Sequence, residues 1–547
     1  MHNGGIVPRS LTPQPDTTLD EKRALAFFRH KTVAELSQRR RTRYHWLDYV
    51  LQAAEQEPAI RYGVVALGSV HEEFETSTAA FHSRYTPFEP LSDSHMAMKH
   101  YNEATAMVLG TRVWRHRETP LLASLILAAF DSLRGRPEPA LYHRCNGLRI
   151  LRELDRRLDS SMSELLVCIF VDFDTENLEL GQPNFTSPSD CHFSSAFLAE
   201  PLREVTGIQS AIEAFELLFN RLLKASQQDL RVSNPGIGPS QRLPDVLLQY
   251  EEWCLALDAY LQACVCNLEI MADDDSYGDL VILQMRRLMV KILLNVDLRH
   301  DDMDFDRFEA EFACIVHLAE VFTNGCIMPD QQRTISLTAR PTRADHATLH
   351  RRPRCLSDYT GPRQSFLGIR SDRTPVMKWG TIDDAILHTS QLVLARLPRA
   401  QSYGPRDGTY ARSRFSLAPG IILPLFITAS NCRNPGIRRG ALRLLESKHR
   451  KEGQWDSMVC AANVRVAIAA EEVRALELAK LGAESPDIEL LEGSIRESWQ
   501  VPDAARLRGF DCFFNEDLLD EKKNRKRFEW YATGKDWNVA VPGCTTQ

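Results

Sequence analysis

Apolar side chains in this chain recur at spacings of three and four, and that rhythm confines most of it to packed α-helices. Ile60, Val64, Leu67, His71 and Phe74 form one such stripe, and Leu122, Leu125, Ile126, Ala129 and Leu133 form another. Residues three and four apart share one face of a helix, so each stripe is a face that must be buried. Ile212, Phe215, Phe219 and Leu222 continue the pattern, followed by Val246, Tyr250, Trp253, Leu257 and Leu261. Ile282, Met285, Met289, Ile292 and Val296 repeat it, as do Phe312, Ile315, Ala319 and Phe322. Past residue 380 it resumes at Ile382, Ile386, Leu392 and Val393, then around 441–445 and 459–473. No convincing alternating strand ladder competes with these stripes. The expectation is an all-α fold, a multi-helix stacked assembly of helical hairpins.

Breaks in the rhythm set the expected organisation. Residues 1–20, rich in Pro and Thr and without an apolar signal core, read as a disordered tail. Residues 21–330 read as a helical body, interrupted by a polar surface loop at 172–192 and a Pro/Gly connector at 231–244. Residues 331–380 hold ten Lys/Arg against three Asp, a local excess of +7, with four prolines and three glycines. They read as a basic linker or long loop, followed by a C-terminal helical region over 381–547. Local chemistry predicts several helix ends. Thr119 caps a helix with Pro120 in its first turn, and Leu133-Arg134-Gly135 closes it. Asn434-Pro435 opens a helix whose buried face is Ile437, Ala441, Leu444 and Leu445. Gly453 then takes the left-handed turn after a helix, Trp455 closes its apolar end, and Asp456 caps the next. Ala140, His143 and Gly147 lie on one face where small residues permit close helix approach.

The balance of 66 Lys+Arg against 73 Asp+Glu gives −7, so any phosphate binding must be local. No apolar run approaches the roughly 20 residues that span a bilayer. Thirteen cysteines, an odd and scattered set beginning at Cys145, read as reduced core thiols of an intracellular chain. Cys264 and Cys266, one residue apart, lack further ligands at zinc spacing.

Candidate chemistry is sparse. His71-Glu72 starts like a metalloprotease helix, but Glu75 stands where the second His belongs, so a partly buried polar pair is the expectation. Asp302, Asp304 and Asp306 have a calcium-loop spacing, yet Arg307 replaces the turning glycine and Ala313 the bidentate Glu. With Asp301 they also fall short of an isoprenoid-synthase motif, because the fifth position is Phe305; a solvated acidic helix start is expected. No nucleophile elbow, phosphate loop or dinucleotide fingerprint occurs. Catalytic, cofactor and metal residues are therefore expected to be none. Two basic clusters, Arg39, Arg40, Arg41 and Arg43, and Lys522, Lys523, Arg525, Lys526 and Arg527, are candidate nuclear-import or phosphate contacts. Ion-paired or solvated helix faces are the competing reading of both.

Three stretches carry a resemblance: LQAAEQEPAIRYGVVALGSVHEEFE at 51–75, HYNEATAMVL with LLASLILAAFDSLRGRPEPALYHRCNGLRIL at 100–151, and GIILPLFITASNCRNPGIRRGALRLLESKHRKEGQWDSMVCAANVRVAIAAEE at 420–472. Together they resemble the regulatory, middle-homology-like region of fungal zinc-cluster transcription factors. Members carry an N-terminal head of six cysteines that holds two zinc ions and reads the major groove. Here the sequence from Ser10 resembles the linker that follows such a head. The resemblance thus implies a nuclear, non-enzymatic transcription-regulator-like body, with the DNA-reading head missing from this chain or lying upstream of Met1. Zinc is expected only in that absent head, with no cofactor in this chain. Protein partners are expected, either a second copy or a zinc-cluster factor, with DNA reached only indirectly and no membrane. Two alternatives stay open: an interaction module that titrates partner regulators without touching DNA, and an all-α lyase or synthase using residues 301–306.

Overall fold

The computed structural model describes residues 18–37, 45–80, 95–110, 118–154, 160–179, 205–231, 243–267, 274–296, 302–324, 379–396, 415–482, 501–502 and 505–506. Among them the fold is all-α, with three two-residue strands as its sole β-structure. Both basic clusters lie outside the described residues, as does the 331–380 stretch apart from its last two positions.

Thr18 and Glu21 form a capping box that opens α1 (Leu19–Phe27): Glu21 N donates to Thr18 Oγ1 at 3.2 Å, and Thr18 N donates to Glu21 Oε2 at 2.9 Å. A π-helical turn, Phe28–Thr32, leads into α2 (Val33–Ser37). After α3 (His45–Gln56) comes α4 (Pro58–Ala80), the axis of the N-terminal half, against which α1, α3, α5 (His95–Gly110) and α6 (Thr119–Leu133) all pack. The stripe Ile60, Val64, Leu67, His71 and Phe74 is buried as its spacing requires. The α1 backbone at Ala24 lies so close over Gly68 that any side chain there would collide with it. Helix α6 forms a hairpin with α7 (Pro137–Leu154) around Gly135, whose φ is +71°. Gly147 leaves no space for a Cβ against Phe170 of α8 (Ser160–Glu179), the close approach that its small-residue face predicts.

From α8 the stack continues through α9 (Ile208–Arg231) to α10 (Leu243–Asn267) and α11 (Asp274–Asn295), which packs on α12 (Glu309–Asn324). Helix α13 (Trp379–Arg396) packs on α10, α11 and α12. The hairpin of α14 (Ile422–Asn431) and α15 (Pro435–Ser447) lies on α12 and is covered by α16 (Ser457–Gly482). Asn434 Oδ1 caps α15 as expected, accepting from Gly436 N at 3.0 Å and Ile437 N at 3.3 Å. Strands β1 (Phe415–Ser416), β2 (Lys451–Glu452) and β3 (Trp455–Asp456) form a small sheet, β1 parallel and β3 antiparallel to β2.

Apolar burial falls into two main clusters. One gathers Phe28, Ile60, Leu67, Phe74, Leu125, Phe130 and Phe170 and reaches Phe415 and Leu417. The other runs from Leu178 through Phe215, Trp253, Met289, Phe312 and Leu425 to Trp455 and Ile468.

Four expectations are corrected. The proposed surface loop beginning at 172 is, as far as Glu179, the buried end of α8; Asp172, Asp174, Glu176 and Glu179 are all buried. Thr119 is inside α6 rather than its cap, and Glu118 occupies the cap position without a side-chain bond. Gly453 does have positive φ, +61°, but at the tip of the β2–β3 hairpin and not at a helix end. On α15 the deepest side chain includes Arg438, while Ile437 is half-buried. Among the described residues, Cys145, Cys254, Cys314, Cys432 and Cys460 form no disulfide. Burial pushes Cys254 up to about 11 and Cys432 up to about 12, so both stay protonated and inert. No described helix is long and apolar enough to cross a membrane.

Candidate functional site

Where the two apolar clusters meet, the interior is ionic. The acidic end of α8 supplies Asp174, Glu176 and Glu179, and each reaches a different neighbour. Glu176 accepts from Arg144 of α7 and from the backbone N of Gln454 at the hairpin tip. Arg144 is buried, donates to Ser132 Oγ at 3.1 Å and lies 4.3 Å over the Phe173 ring. Glu179 accepts from Trp455 Nε1 at 3.3 Å and from Arg286 Nη2 at 3.4 Å, and Arg286 also donates to Glu216 at 3.1 Å. The Arg286 guanidinium stands 5.4 Å from the ring centroids of Phe215 and Phe219. Asp174 takes Lys224 Nζ at 2.5 Å and Asn220 Nδ2 at 3.1 Å.

Carboxylates crowd the centre of this seam: Glu176, Glu179 and Glu216 lie around Arg144 and Arg286. Burial is the largest influence on Glu179 and pushes its carboxyl up to about 8; the neighbouring Glu176 and Glu216 add to this, while Arg286 opposes it. Burial likewise raises Glu176, against the pull of Arg144. A proton on Glu179 relieves the repulsion from its neighbouring carboxylates and leaves Arg286 to Glu216.

The hairpin is fixed from both sides. Gly453 N donates to Ser416 O at 2.7 Å, and a Cβ on Gly453 would strike the Glu176 carboxylate. Glu452 accepts from Ile421 N at 3.1 Å and Ile422 N at 3.0 Å, capping α14 from a distance. Asp456 Oδ1 caps α16 through Met458 N and Val459 N, at 2.9 and 3.2 Å, as its position in sequence suggests. Its other oxygen holds His449 at 3.0 Å and Lys451 at 3.3 Å. Burial alone would raise Asp456, but the His449 and Lys451 charges outweigh it and hold the carboxyl well below the usual range. Buried ion pairs of this kind add little net stability over apolar packing, yet they strongly penalise any arrangement that separates them. Pulling the two clusters apart would therefore leave these charges without their partners.

Beside Arg286 is a cavity of about 20 Å³, bounded by Phe215, Glu216, Asp279, Ile282 and Pro419. It has room for about one water, which can accept from the Arg286 N–H groups that lack a protein acceptor. A second polar node sits nearer the C-terminus. Arg438 and Arg506 share Glu471 at 2.7 and 2.8 Å, and Arg433 grips Asp306. A third braces α5 to α6 and α7: Tyr101 OH donates to Asp131 Oδ2 at 2.8 Å and lies 3.0 Å from His143 Nε2. Burial pushes Asp131 up to about 6 and His143 down to about 4, so the imidazole is neutral at pH 7.

The sequence-nominated residues fare unevenly. Asp304 is half-buried and pairs with Arg307 at 3.7 Å on a 3₁₀ turn, Asp302–Phe308, and Asp306 is taken by Arg433. Asp301 lies outside the described residues. His71 is fully buried rather than partly so, while Glu72 is half-buried as expected and pairs with Arg23 at 2.8 Å. The seam itself escaped the sequence reading, although Asp172, Glu176 and Glu179 fall at spacings of 4 and 3. That acidic stripe is as regular as the apolar ones.

No family model matches the chain, and no solved structure matches it. Among known proteins, however, it is similar to a fungal transcription regulator. That relative is the aspercryptin biosynthesis cluster-specific transcription regulator atnN of Emericella nidulans, 25% identical over 468 residues. The match covers 81% of this chain and 72% of the relative.

Proposed function

We propose that this chain is the helical regulatory body of a fungal transcription regulator, acting in the nucleus through protein contacts and without catalysis. The observation that carries this reading is the similarity to the atnN regulator, which extends over 81% of the chain instead of one short motif. The all-α stack of hairpins is consistent with it, and the buried carboxylates support it in a second way. Each of Asp174, Glu176 and Glu179 is engaged by a cation or a backbone donor, a structural use of charge rather than a reactive one. Its partner is a second copy of the chain or a zinc-cluster factor, and DNA is reached through that partner or through a zinc-holding head. Nuclear entry is assigned to Arg39–Arg43 or Lys522–Arg527.

The test is tethering. The whole chain, joined to an unrelated DNA-binding domain in a fungal host, should change expression of a reporter bearing the matching site by several-fold. A stable, nuclear fusion that leaves the reporter at baseline would overturn the regulator reading. If the untethered chain then lowers output from another factor's promoter, the titrating module takes its place.

A further inference from the structure

At the far end of β1 from the hairpin, three metal-capable side chains converge that the regulator reading does not use. Glu35 of α2 and His71 and Glu75 of α4 each offer one ligand atom, all within 4.8 Å of one another. His71 and Glu75 are one helical turn apart, so a shared face is built into α4. The π-helical turn Phe28–Thr32 packs on α4 and leads directly into α2, which brings Glu35 to them. Such turns recur at functional sites.

His71 is the decisive residue. Its side chain is completely buried, clamped by the edges of Phe27 and Phe415 with ring centroids at 5.5 Å. Thr32 Oγ1 holds its Nδ1 at 2.9 Å. Nε2 makes no well-aligned hydrogen bond; it faces Glu35 Oε2 at 3.4 Å. An imidazole with one nitrogen fixed by a hydroxyl and the other turned on carboxylates has the outer-shell arrangement of a ligating histidine. Lys31 Nζ occupies the remaining side of the cluster, 2.7 Å from Glu35 and 3.7 Å from Glu75. Its side chain is 39% exposed, so it can swing into water without uncovering the core. A divalent ion in place of the ammonium would match the charge of the two carboxylates.

We propose that Glu35, His71 and Glu75 bind a zinc-class divalent cation, with Lys31 as the stand-in counter-ion that leaves when the metal enters. One imidazole and two carboxylates suit zinc, with water completing the tetrahedron. Glu35 also accepts from Phe415 N at 3.2 Å, so the ion would tie α2 and β1 to α4. Displacement by metal predicts opposite effects for two substitutions. Zinc chloride titrated into the full chain against a chromophoric chelator should give one equivalent bound. Glu75→Gln should weaken that binding at least tenfold, and Lys31→Ala should tighten it several-fold. In chelator, Lys31→Ala should melt below wild type, and zinc should restore it. Circular dichroism shows whether each variant is folded, and Glu75, partly exposed, is chosen over His71 for that reason. Failure of both wild type and Lys31→Ala to bind zinc overturns the proposal. So does zinc held equally by Glu75→Gln, which places the metal on other side chains, or binding that Lys31→Ala fails to tighten.

Discussion

At the scale of single residues, the most telling group is Glu179. Its folded-state carboxyl titrates near 8 against an ordinary value of 4.5, so the folded chain holds that proton more tightly than the unfolded chain does. The stability this proton contributes is fully present below about pH 4.5 and is lost as pH rises through about 8. The steepest slope from one such group is about 1.4 kcal/mol per pH unit. Glu179→Gln keeps an acceptor for Trp455 and Arg286 but removes the titration. Urea denaturation from pH 5 to 9 should show wild type losing stability across that window while the variant stays flatter and overtakes it above pH 8. Parallel curves would show that the proton resides on another carboxyl. The helical spacing of the acidic run is legible locally, but its partners are not. The run from Asp172 reads as a polar loop because its partners come from elsewhere: Arg144 is 32 residues away, Arg286 is 107 and Gln454 is 278. Charge in a sequence argues for solvent until a partner is known, and partners are a property of the fold.

At the scale of elements, the helices were legible and the hairpin was half so. A spacing of three and four is generated by the element itself, which is why Leu125, Phe219, Trp253 and Ile315 could be placed in the core from their positions. Caps are local too, and Asn434 and Asp456 behave as their neighbours in sequence suggest. Gly453 is recognisable as a left-handed residue, but its place at a hairpin tip is not, because a two-residue strand leaves no periodicity to read. Its neighbour across the seam makes it a sharp probe. Gly453→Ala must adopt φ near +61° and also displace the Glu176 carboxylate, costing about 1–3 kcal/mol. Gly110→Ala, where an added methyl meets nothing within 4 Å, is the matched control. Thermal melts followed by circular dichroism should show a clear drop for the first and little change for the second; equal shifts would mean that the hairpin tip relaxes without cost.

At the scale of the whole molecule, the question is what couples the two apolar clusters. Apolar contact alone would let them slide, since it has no direction. The seam supplies direction, because Glu176 reaches Gln454, Glu179 reaches Trp455 and Arg286, and Asp174 reaches Lys224 from one short stretch of α8. Coupling should therefore depend on where an ion pair lies and not merely on its burial. Glu176→Ala strands Arg144 in the interior and takes the acceptor from the hairpin tip, at the junction of the clusters. Asp258→Ala strands Arg287, whose partner lies 2.9 Å away, but wholly inside the second cluster. Losing one partner of a buried pair costs about 3–5 kcal/mol, so both variants should lose comparable total stability. Calorimetry separates them: the wild type and Asp258→Ala should melt in one transition, while Glu176→Ala should split into two as each cluster unfolds alone. A single transition in Glu176→Ala would assign the coupling to apolar packing between α8 and α9, and the acidic stripe would then be a consequence of docking and not its cause.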